Sequence, residues 1–220
     1  MNAEFAKGVD PIFIAALDLE SRIEKHQRII TSDERTVLIR KIEEAEYRLG
    51  KSEEWLFAKY ALCGWIDARL VQSSWTEASW WKEHCLEQRF FGHRLADEEF
   101  FARAIKAASL PGKNALEVFY IAVVLGFRGI YADSDLGKKR EFLSRLRLPD
   151  SIEGWCQETV RSLHLKHGRP SIPSQTLSAG SFEPLTGRSN LLQFSMISAL
   201  LIAAAIVCYI LLFVNTSSTK

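Results

Sequence analysis

The chain has 220 residues, and its 28 basic and 27 acidic side chains give a formal net charge of +1 at pH 7. This balance offers no broad basic field for nucleic acid or anionic lipid. The four cysteines (Cys63, Cys85, Cys156 and Cys208) form no Cys-x-x-Cys pair, so we expect free, mostly buried thiols and no metal site.

The first 50 residues predict two helices. Asp10-Pro11 is a typical helix start, because Asp caps a helix and Pro fits its first turn. Apolar residues follow among charges to about Ile30. Thr31-Ser-Asp-Glu34 has the pattern of a capping box at the start of a second helix. Gly50 ends that helix, whose apolar residues recur at helical spacing: Leu38, Ile42, Ala45 and Leu49.

Residues 52–127 predict four more helices. Ser52 caps the third helix of the chain, whose broad apolar face indicates burial against several neighbours. The fourth helix runs from about Trp80 to Phe90, and the fifth follows Asp97. The sixth, Ala115–Phe127, is the most apolar of them, but its 13 residues are too few to span a membrane. We therefore expect it to be the central helix of a bundle.

Two shorter helices are predicted after residue 137, namely 138–148 and 149–163. No stretch alternates as a β-strand does, and no internal repeat is evident. The sequence thus predicts an all-α domain of about seven or eight helices over residues 1–165. Residues 166–189 are rich in Pro, Ser, Thr and Gly without periodicity, which predicts a flexible linker.

The stretch Leu191–Val214 contains 24 residues and no charge. As a helix it would be about 36 Å long, enough to cross a hydrocarbon core of about 30 Å. We predict one transmembrane helix over residues 190–214 and a short periplasmic tail over 215–220. No apolar run resembling a signal peptide begins the chain, and Lys and Arg are commoner before the span than after it, which favours a cytoplasmic domain.

Three small residues recur every four positions within the predicted span: Ser195, Ala199 and Ala203. A face of small side chains lets two helices approach closely in lipid, which favours self-association through this face. The alternative is ordinary lipid-facing composition, since Ala is common in membrane spans.

Several short motifs between residues 55 and 131 are similar to those of one family. They are Phe57–Asp67, an apolar helix ending in an acid; Trp75 and Trp80 before Leu86-Glu-Gln-Arg-Phe90; Asp97-Glu-Glu-Phe-Phe101; and Leu116-Glu-Val-Phe-Tyr120 followed by Leu125-Gly-Phe-Arg-Gly-Ile-Tyr131. With the C-terminal anchor, they resemble the DotU/IcmH/TssL family, an inner-membrane component of type VI and type IVB secretion systems. The chain departs from the family pattern at Ala68, where the family has Glu, and at Ala96-Asp97, which replace a Gly-Gly pair.

The resemblance implies a non-enzymatic scaffold at the bacterial inner membrane, with its domain in the cytoplasm. It implies a hook of two small helical bundles that binds a TssM-like (IcmF-like) membrane protein and a TssK-like baseplate protein, and that self-associates partly through its anchor. No cofactor, metal or nucleic acid is expected. A type VI subunit is favoured over a type IVB one, and an anchored enzyme or regulator of unrecognised chemistry remains the alternative from another class.

The resemblance also directs attention to particular residues. The candidate structural signature is Tyr120, Gly126, Phe127, Gly129 and Tyr131. For the carboxylates Asp67, Glu98 and Glu117 we weigh a structural role against the hypothesis that all three line a cleft between the bundles that receives partner proteins. A carboxylate on an apolar helix, as Glu117 is, must be paired or line a groove.

Enzyme chemistry finds little support in the sequence. His84 and Cys85 are neighbours and point about 100° apart on a helix, so their spacing does not indicate a catalytic dyad. Gly126 and Gly129 precede no Lys-Ser or Lys-Thr, so they do not indicate a phosphate loop. The four tryptophans between positions 65 and 81 suit a packed core better than a binding platform.

Overall fold

The computed structural model describes residues 1–73 and 75–164, and this part of the chain is helical. A 3-10 helix, Gly129–Ala132, follows the seventh of its nine α-helices. The α-helices are α1 (Ala3–Glu24), α2 (Thr31–Leu49), α3 (Glu53–Gln72), α4 (Ala78–Glu83), α5 (Leu86–Phe91), α6 (Ala96–Ser109), α7 (Asn114–Val124), α8 (Leu136–Leu146) and α9 (Ile152–His164). The all-α prediction is confirmed for these residues. The predicted linker, transmembrane helix and periplasmic tail lie outside them.

Seven of the helices have eleven or more residues, in line with the seven or eight expected. The difference lies in α4 and α5, six residues each, which replace the single helix predicted from Trp80 to Phe90. The chain becomes extended at Cys85 because the next two N–H groups donate to the Asp67 carboxylate instead of continuing the helix. This break depends on a long-range contact, which local periodicity does not reveal.

The predicted start of the first helix and the predicted capping box of the second are wrong. Helix α1 begins at Ala3, where the Asn2 side chain accepts the N–H of Phe5 at 2.8 Å, and Pro11 lies inside the helix. Helix α2 begins at Thr31 as expected, but its N-cap residue is Ile30, which has no polar side chain to cap it, and Glu34 forms a bidentate ion pair with Arg22 of α1. The predicted cap of α3 is confirmed, since the Ser52 hydroxyl accepts the N–H of Trp55.

Helix α3 organises the core. Twelve of its twenty residues are buried, and it contacts α1, α2, α4, α5, α6 and α7. The buried hydrophobic residues form one cluster that runs from α1 to α9. The arrangement of the helices as two small bundles in a hook stays a prediction.

Helix α7 is the apolar core helix that the sequence predicts, with seven of its eleven residues buried. Among the described residues, Asn114–Ala132 is long and apolar enough to be a candidate membrane span, but half of its most apolar stretch is buried in the domain. Lys113, which begins α7, donates through Nζ to the carbonyl and the hydroxyl of Ser162 at 3.0 and 2.8 Å. This contact ties the start of α7 to the end of α9.

Candidate docking surface

Asp67 lies near the end of α3 and is only 7% exposed. Its Oδ1 accepts the indole N–H of Trp81 and the backbone N–H of Leu86, both at 2.9 Å, and its Oδ2 accepts the backbone N–H of Glu87 at 2.8 Å. A carboxylate in this position satisfies the free N–H groups at the start of α5. Of the two roles left open for Asp67, the geometry supports the structural one, because a buried carboxylate with three internal donors is not available to a partner.

Glu87 repeats this arrangement one helix further along. Its side chain, 4% exposed, accepts the backbone N–H groups of Leu95 and Ala96 at the start of α6, at 2.8 and 3.1 Å. It also accepts the Tyr60 hydroxyl and contacts His93 Nδ1, each at 3.0 Å. Sequence reasoning gave Glu87 no role; the available signal was a carboxylate next to the apolar Leu86, which had to find partners if it was buried.

Burial dominates the electrostatics of this region. Desolvation raises the pKa of Asp67 to about 6, although hydrogen bonds from Glu87, Leu86 and Trp81 act in the opposite direction. Desolvation and the Glu87 charge raise the pKa of Tyr60 well above its usual value, so its hydroxyl stays protonated and donates. The Asp67 and Glu87 side chains therefore connect α3 to α5 and α5 to α6 through buried hydrogen bonds.

Glu98 occupies a different environment, in the first turn of α6. Its side chain is 49% exposed and pairs with Lys138 Nζ of α8 at 2.9 Å. The same ammonium lies 3.7 Å from Asp133, and the hydrogen bond and charge of Glu98 raise the pKa of Lys138. Glu98 is thus a surface residue that links two helices, and it remains accessible.

Glu117 lies in the first turn of α7 and pairs with the α-amino group of Met1. Its side chain is 30% exposed and lines a groove of about 390 Å³ between α7, α9 and the start of the chain. Tyr120, Ile121, Val160 and His164 also line this groove. We call this feature the α7–α9 groove.

The three predicted carboxylates are therefore not brought together. Asp67 is buried beneath α5, Glu98 faces α8, and only Glu117 of the three lines the α7–α9 groove. The hypothesis of one cleft holding all three carboxylates is not supported by this geometry. A partner-binding role stays a prediction for Glu98 and Glu117.

The candidate signature residues have mostly structural surroundings. Gly126 has φ +105°, and a Cβ there would lie 2.9 Å from the Arg69 guanidinium; Gly129 has φ +47°. Phe127 is buried and stacks on Phe100 with ring centroids 3.9 Å apart. These contacts match the expectation of glycines at a helix end and a phenylalanine in the core.

The two signature tyrosines differ from each other. Tyr131 is buried, and its hydroxyl donates to the Pro149 carbonyl at 2.8 Å, as expected for a core tyrosine. Tyr120 is half-buried and lines the α7–α9 groove beside Glu117. Of the two tyrosines, Tyr120 is thus the more accessible one.

His84 and Cys85, which are adjacent in the sequence, contact different neighbours. The His84 ring stacks on Trp80 with centroids 4.1 Å apart, and the Cys85 thiol contacts the carbonyls of Trp81 and Lys82. Burial raises the pKa of Cys85 to about 11, which keeps the thiol protonated at neutral pH. Among the residues the structure describes, no three His, Cys, Asp or Glu side chains could together hold a metal ion.

The remaining predicted site residues, Ser195, Ala199 and Ala203, lie outside the described residues. Cys63 and Cys85 are buried free thiols and Cys156 is half-buried, as expected, whereas Cys208 lies beyond the described part. Trp65 and Trp81 are fully buried, and Trp75 and Trp80 pack against the core. The tryptophans are therefore mainly core residues.

Comparison with known proteins gives one family and one fold. The family model described as type VI secretion system protein DotU matches residues 5–217. No curated protein sequence matches the chain significantly.

Two solved structures are similar to the chain. The cytoplasmic domain of TssL from Acinetobacter baumannii is 22% identical with a TM-score of 0.50, over 66% of this chain and 96% of that one. SciP/TssL of the type VI system of enteroaggregative Escherichia coli 042 is 22% identical with a TM-score of 0.47, over 65% of this chain and 89% of that one. At this identity, the likeness to the Acinetobacter domain shows a shared fold.

Proposed function

The chain belongs to the family of type VI secretion system protein DotU, and from that premise we propose that it is a non-enzymatic scaffold subunit of a type VI secretion inner-membrane complex. The observation that carries this proposal is the family match, which extends from the first helix into the apolar C-terminal stretch. A type IVB subunit is the weaker candidate, because the matched family and both similar structures are described by the type VI system or its TssL component.

The proposed topology follows from the sequence. Residues 190–214 would form a single transmembrane helix, with the helical domain, two small bundles in a hook, on the cytoplasmic side and residues 215–220 in the periplasm. The small residues Ser195, Ala199 and Ala203 would bring two such helices together as a homodimer.

The proposed partners are a TssM-like membrane protein and a TssK-like baseplate protein. The α7–α9 groove supports a docking role, since it combines apolar walls from Ile121 and Val160 with the polar groups of Glu117, Tyr120 and His164. Such a surface buries apolar contacts while its polar groups fix orientation. Glu98 would contribute a separate contact at the α6–α8 surface.

The proposal is tested by capture of the full-length tagged chain from detergent extracts of its native host. A TssM-like and a TssK-like protein, identified by mass spectrometry, are expected to co-purify in a nearly constant ratio to the chain. Their absence under conditions that retain the chain's own dimer would contradict the scaffold role.

Matched variants sharpen this test. Glu117→Gln removes the charge beside the groove, whereas Glu43→Gln removes an exposed charge on α2 that has no partner among the described residues. We expect the first variant to reduce partner capture severalfold and the second to leave it unchanged. Lost stability of Glu117→Gln with undiminished capture by the folded fraction would count against a binding role for Glu117.

A further inference from the structure

Helix α8 carries a local charge that the near-neutral chain conceals. The segment from Leu136 to Arg147 has one acidic residue, Glu141, and five basic ones: Lys138, Lys139, Arg140, Arg145 and Arg147. Amphipathic helices with such a basic bias are typical of proteins that contact a membrane surface or an acidic partner.

Two of these basic groups are used within the domain. Lys138 pairs with Glu98 and Asp133, and Lys139 donates to the Tyr131 carbonyl at 2.9 Å. These contacts hold the start of α8 against α6 and the 3-10 helix. They leave Arg140, Arg145 and the cap residue Arg147 as the other basic groups of this segment.

The guanidinium groups of Arg140, Arg145 and Arg147 form no hydrogen bond or ion pair with any residue that the structure describes. All three residues are exposed, and Arg145 lies over the Phe142 ring, 5.1 Å from its centroid. Phe142 and Leu143 are buried, so the apolar side of α8 packs on the domain. The three arginines are thus presented to solvent on a helix whose apolar side is already covered.

We propose that these arginines, here called the α8 arginines, dock on the anionic phospholipid headgroups of the membrane that anchors the chain. Arg140 and Arg145 lie about 140° apart around the helix and flank its solvent-facing side, with the single acid Glu141 between them. The inference rests on the proposed function, because it requires the anchor. The 26 residues between His164 and Leu191 can reach at most about 95 Å, so anchoring would raise the effective concentration of headgroups available to α8.

The chemistry of the two surfaces is complementary. Arginine binds phosphate oxygens through its planar fork, and anionic leaflets attract basic residues near the surface. One such residue is worth about a fivefold change in binding. An acidic protein surface offers carboxylates instead of phosphates. The anchor favours the bilayer, because a bilayer would be next to every anchored copy of the chain whether or not a partner is bound.

Arginine footprinting of the full chain in lipid nanodiscs tests the proposal. The chain is placed in discs of phosphatidylcholine or of phosphatidylglycerol, and modification by phenylglyoxal is followed residue by residue by mass spectrometry. We expect Arg140, Arg145 and Arg147 to react at least about threefold more slowly in the anionic discs, and this protection to disappear in about 0.5 M NaCl. Arg40 on α2, whose side chain is 67% exposed, is the internal reference and should react equally in both discs.

Charge-removing variants provide the matched comparison. Arg140→Gln combined with Arg145→Gln should weaken surface docking about 25-fold, so Arg147 loses its lipid-dependent protection. Arg40→Gln combined with Arg48→Gln removes two exposed charges from α2 and should preserve that protection. Circular dichroism establishes that each variant is folded.

The outcomes separate this inference from the proposed function. Failure of the chain to enter either disc would contradict the membrane anchor itself. Entry into both discs with equal reactivity of the three arginines would overturn the docking of α8 while leaving the anchor intact. Protection by a soluble polyglutamate peptide in phosphatidylcholine discs, with none from phosphatidylglycerol, would overturn it in favour of an acidic protein partner.

Discussion

The Glu87 backbone N–H donates to Asp67 Oδ2 at 2.8 Å, while the Glu87 side chain accepts two backbone N–H groups at the start of α6. Each of the two buried carboxylates thus accepts backbone N–H groups at the amino end of the next helix: Asp67 at the start of α5 and Glu87 at the start of α6. Because both are almost fully buried, the loss of either leaves unpaired donors in the core.

Replacing Asp67 with Asn tests whether the hydrogen bonds to its carboxylate stabilise the fold. The amide keeps the volume but offers one acceptor oxygen to donors that now use two, so at least one buried N–H loses its partner. We expect the free energy of unfolding to fall by about 2–3 kcal/mol and the thermal midpoint by roughly 4–12 °C, measured by circular dichroism of the full chain in detergent.

Asp18→Asn is the control for this substitution, because Asp18 is 65% exposed and belongs to a surface ion pair with Arg22. Its midpoint should stay close to that of the wild type. Equal midpoints for both variants would show that the Asp67 hydrogen bonds contribute no net stability.

The raised pKa of Asp67 predicts a particular pH dependence. Between the ordinary value of 3.8 and about 6, the folded state binds a proton that the unfolded state does not. The stability of the wild type relative to the Asp67→Asn variant should therefore grow as the pH falls from about 6.5 to 4, by up to about 3 kcal/mol.

This dependence is measured as the difference in unfolding free energy between wild type and Asp67→Asn across that range, which largely cancels the titration of other groups. A difference that shrinks on acidification would mean that the three N–H donors outweigh burial and lower the pKa of Asp67 below 3.8.

Gly126→Ala should be more costly than an ordinary glycine substitution. Gly126 combines φ +105° with the Arg69 guanidinium 2.9 Å from the position of a Cβ. Gly92, with φ +77°, ψ 7° and open space around it, is the control for the backbone contribution alone. We expect thermal unfolding to show a loss of about 1–3 kcal/mol at Gly126 and a smaller loss at Gly92. Similar losses at both sites would exclude a contribution from Arg69.

Glu98→Gln should separate partner binding from folding. The pair between Glu98 and Lys138 is about half exposed on both sides, so its removal should leave the thermal midpoint almost unchanged. If Glu98 contacts a partner, capture of the TssK-like or TssM-like protein should decrease severalfold at equal amounts of folded chain. Unchanged capture of both proteins would remove Glu98 from the proposed surface.

Ala199→Ile tests self-association through the anchor. A large side chain in the middle of the small-residue face should keep two helices apart and weaken dimers in a membrane two-hybrid assay. Ala204→Ile, the same substitution at an alanine outside this face in a regular helix, serves as the control. A dimer signal equal for both variants and the wild type would exclude the Ser195-Ala199-Ala203 face.

The sequence anticipated those parts of the fold that depend on local periodicity. Leu38 and Ile42 marked the buried side of α2, and the Ser52 cap and the Gly50 end were found where expected. The break at Cys85 could not be predicted, because its cause is a carboxylate 18 residues earlier in the chain. The early start of α1 was missed because Pro11 suggested a first turn, while the Asn2 cap was overlooked.

The candidate site was predicted less completely. The family resemblance singled out Phe127, Tyr131 and Tyr120, and their residue types suggested burial, which the structure shows for Phe127 and Tyr131 but only in part for Tyr120. The different surroundings of Asp67, Glu98 and Glu117 could not be predicted from the sequence. A helical pattern indicates the side of the helix on which a carboxylate lies, but not which neighbouring helix covers it.

The contact of Lys113 with Ser162 has a mechanical consequence. Tension on the chain beyond His164 would enter the domain through α9, two residues after Ser162, and would be shared at once with the amino end of α7. A pull on this end of the chain would then load α9 and the most apolar helix of the core together.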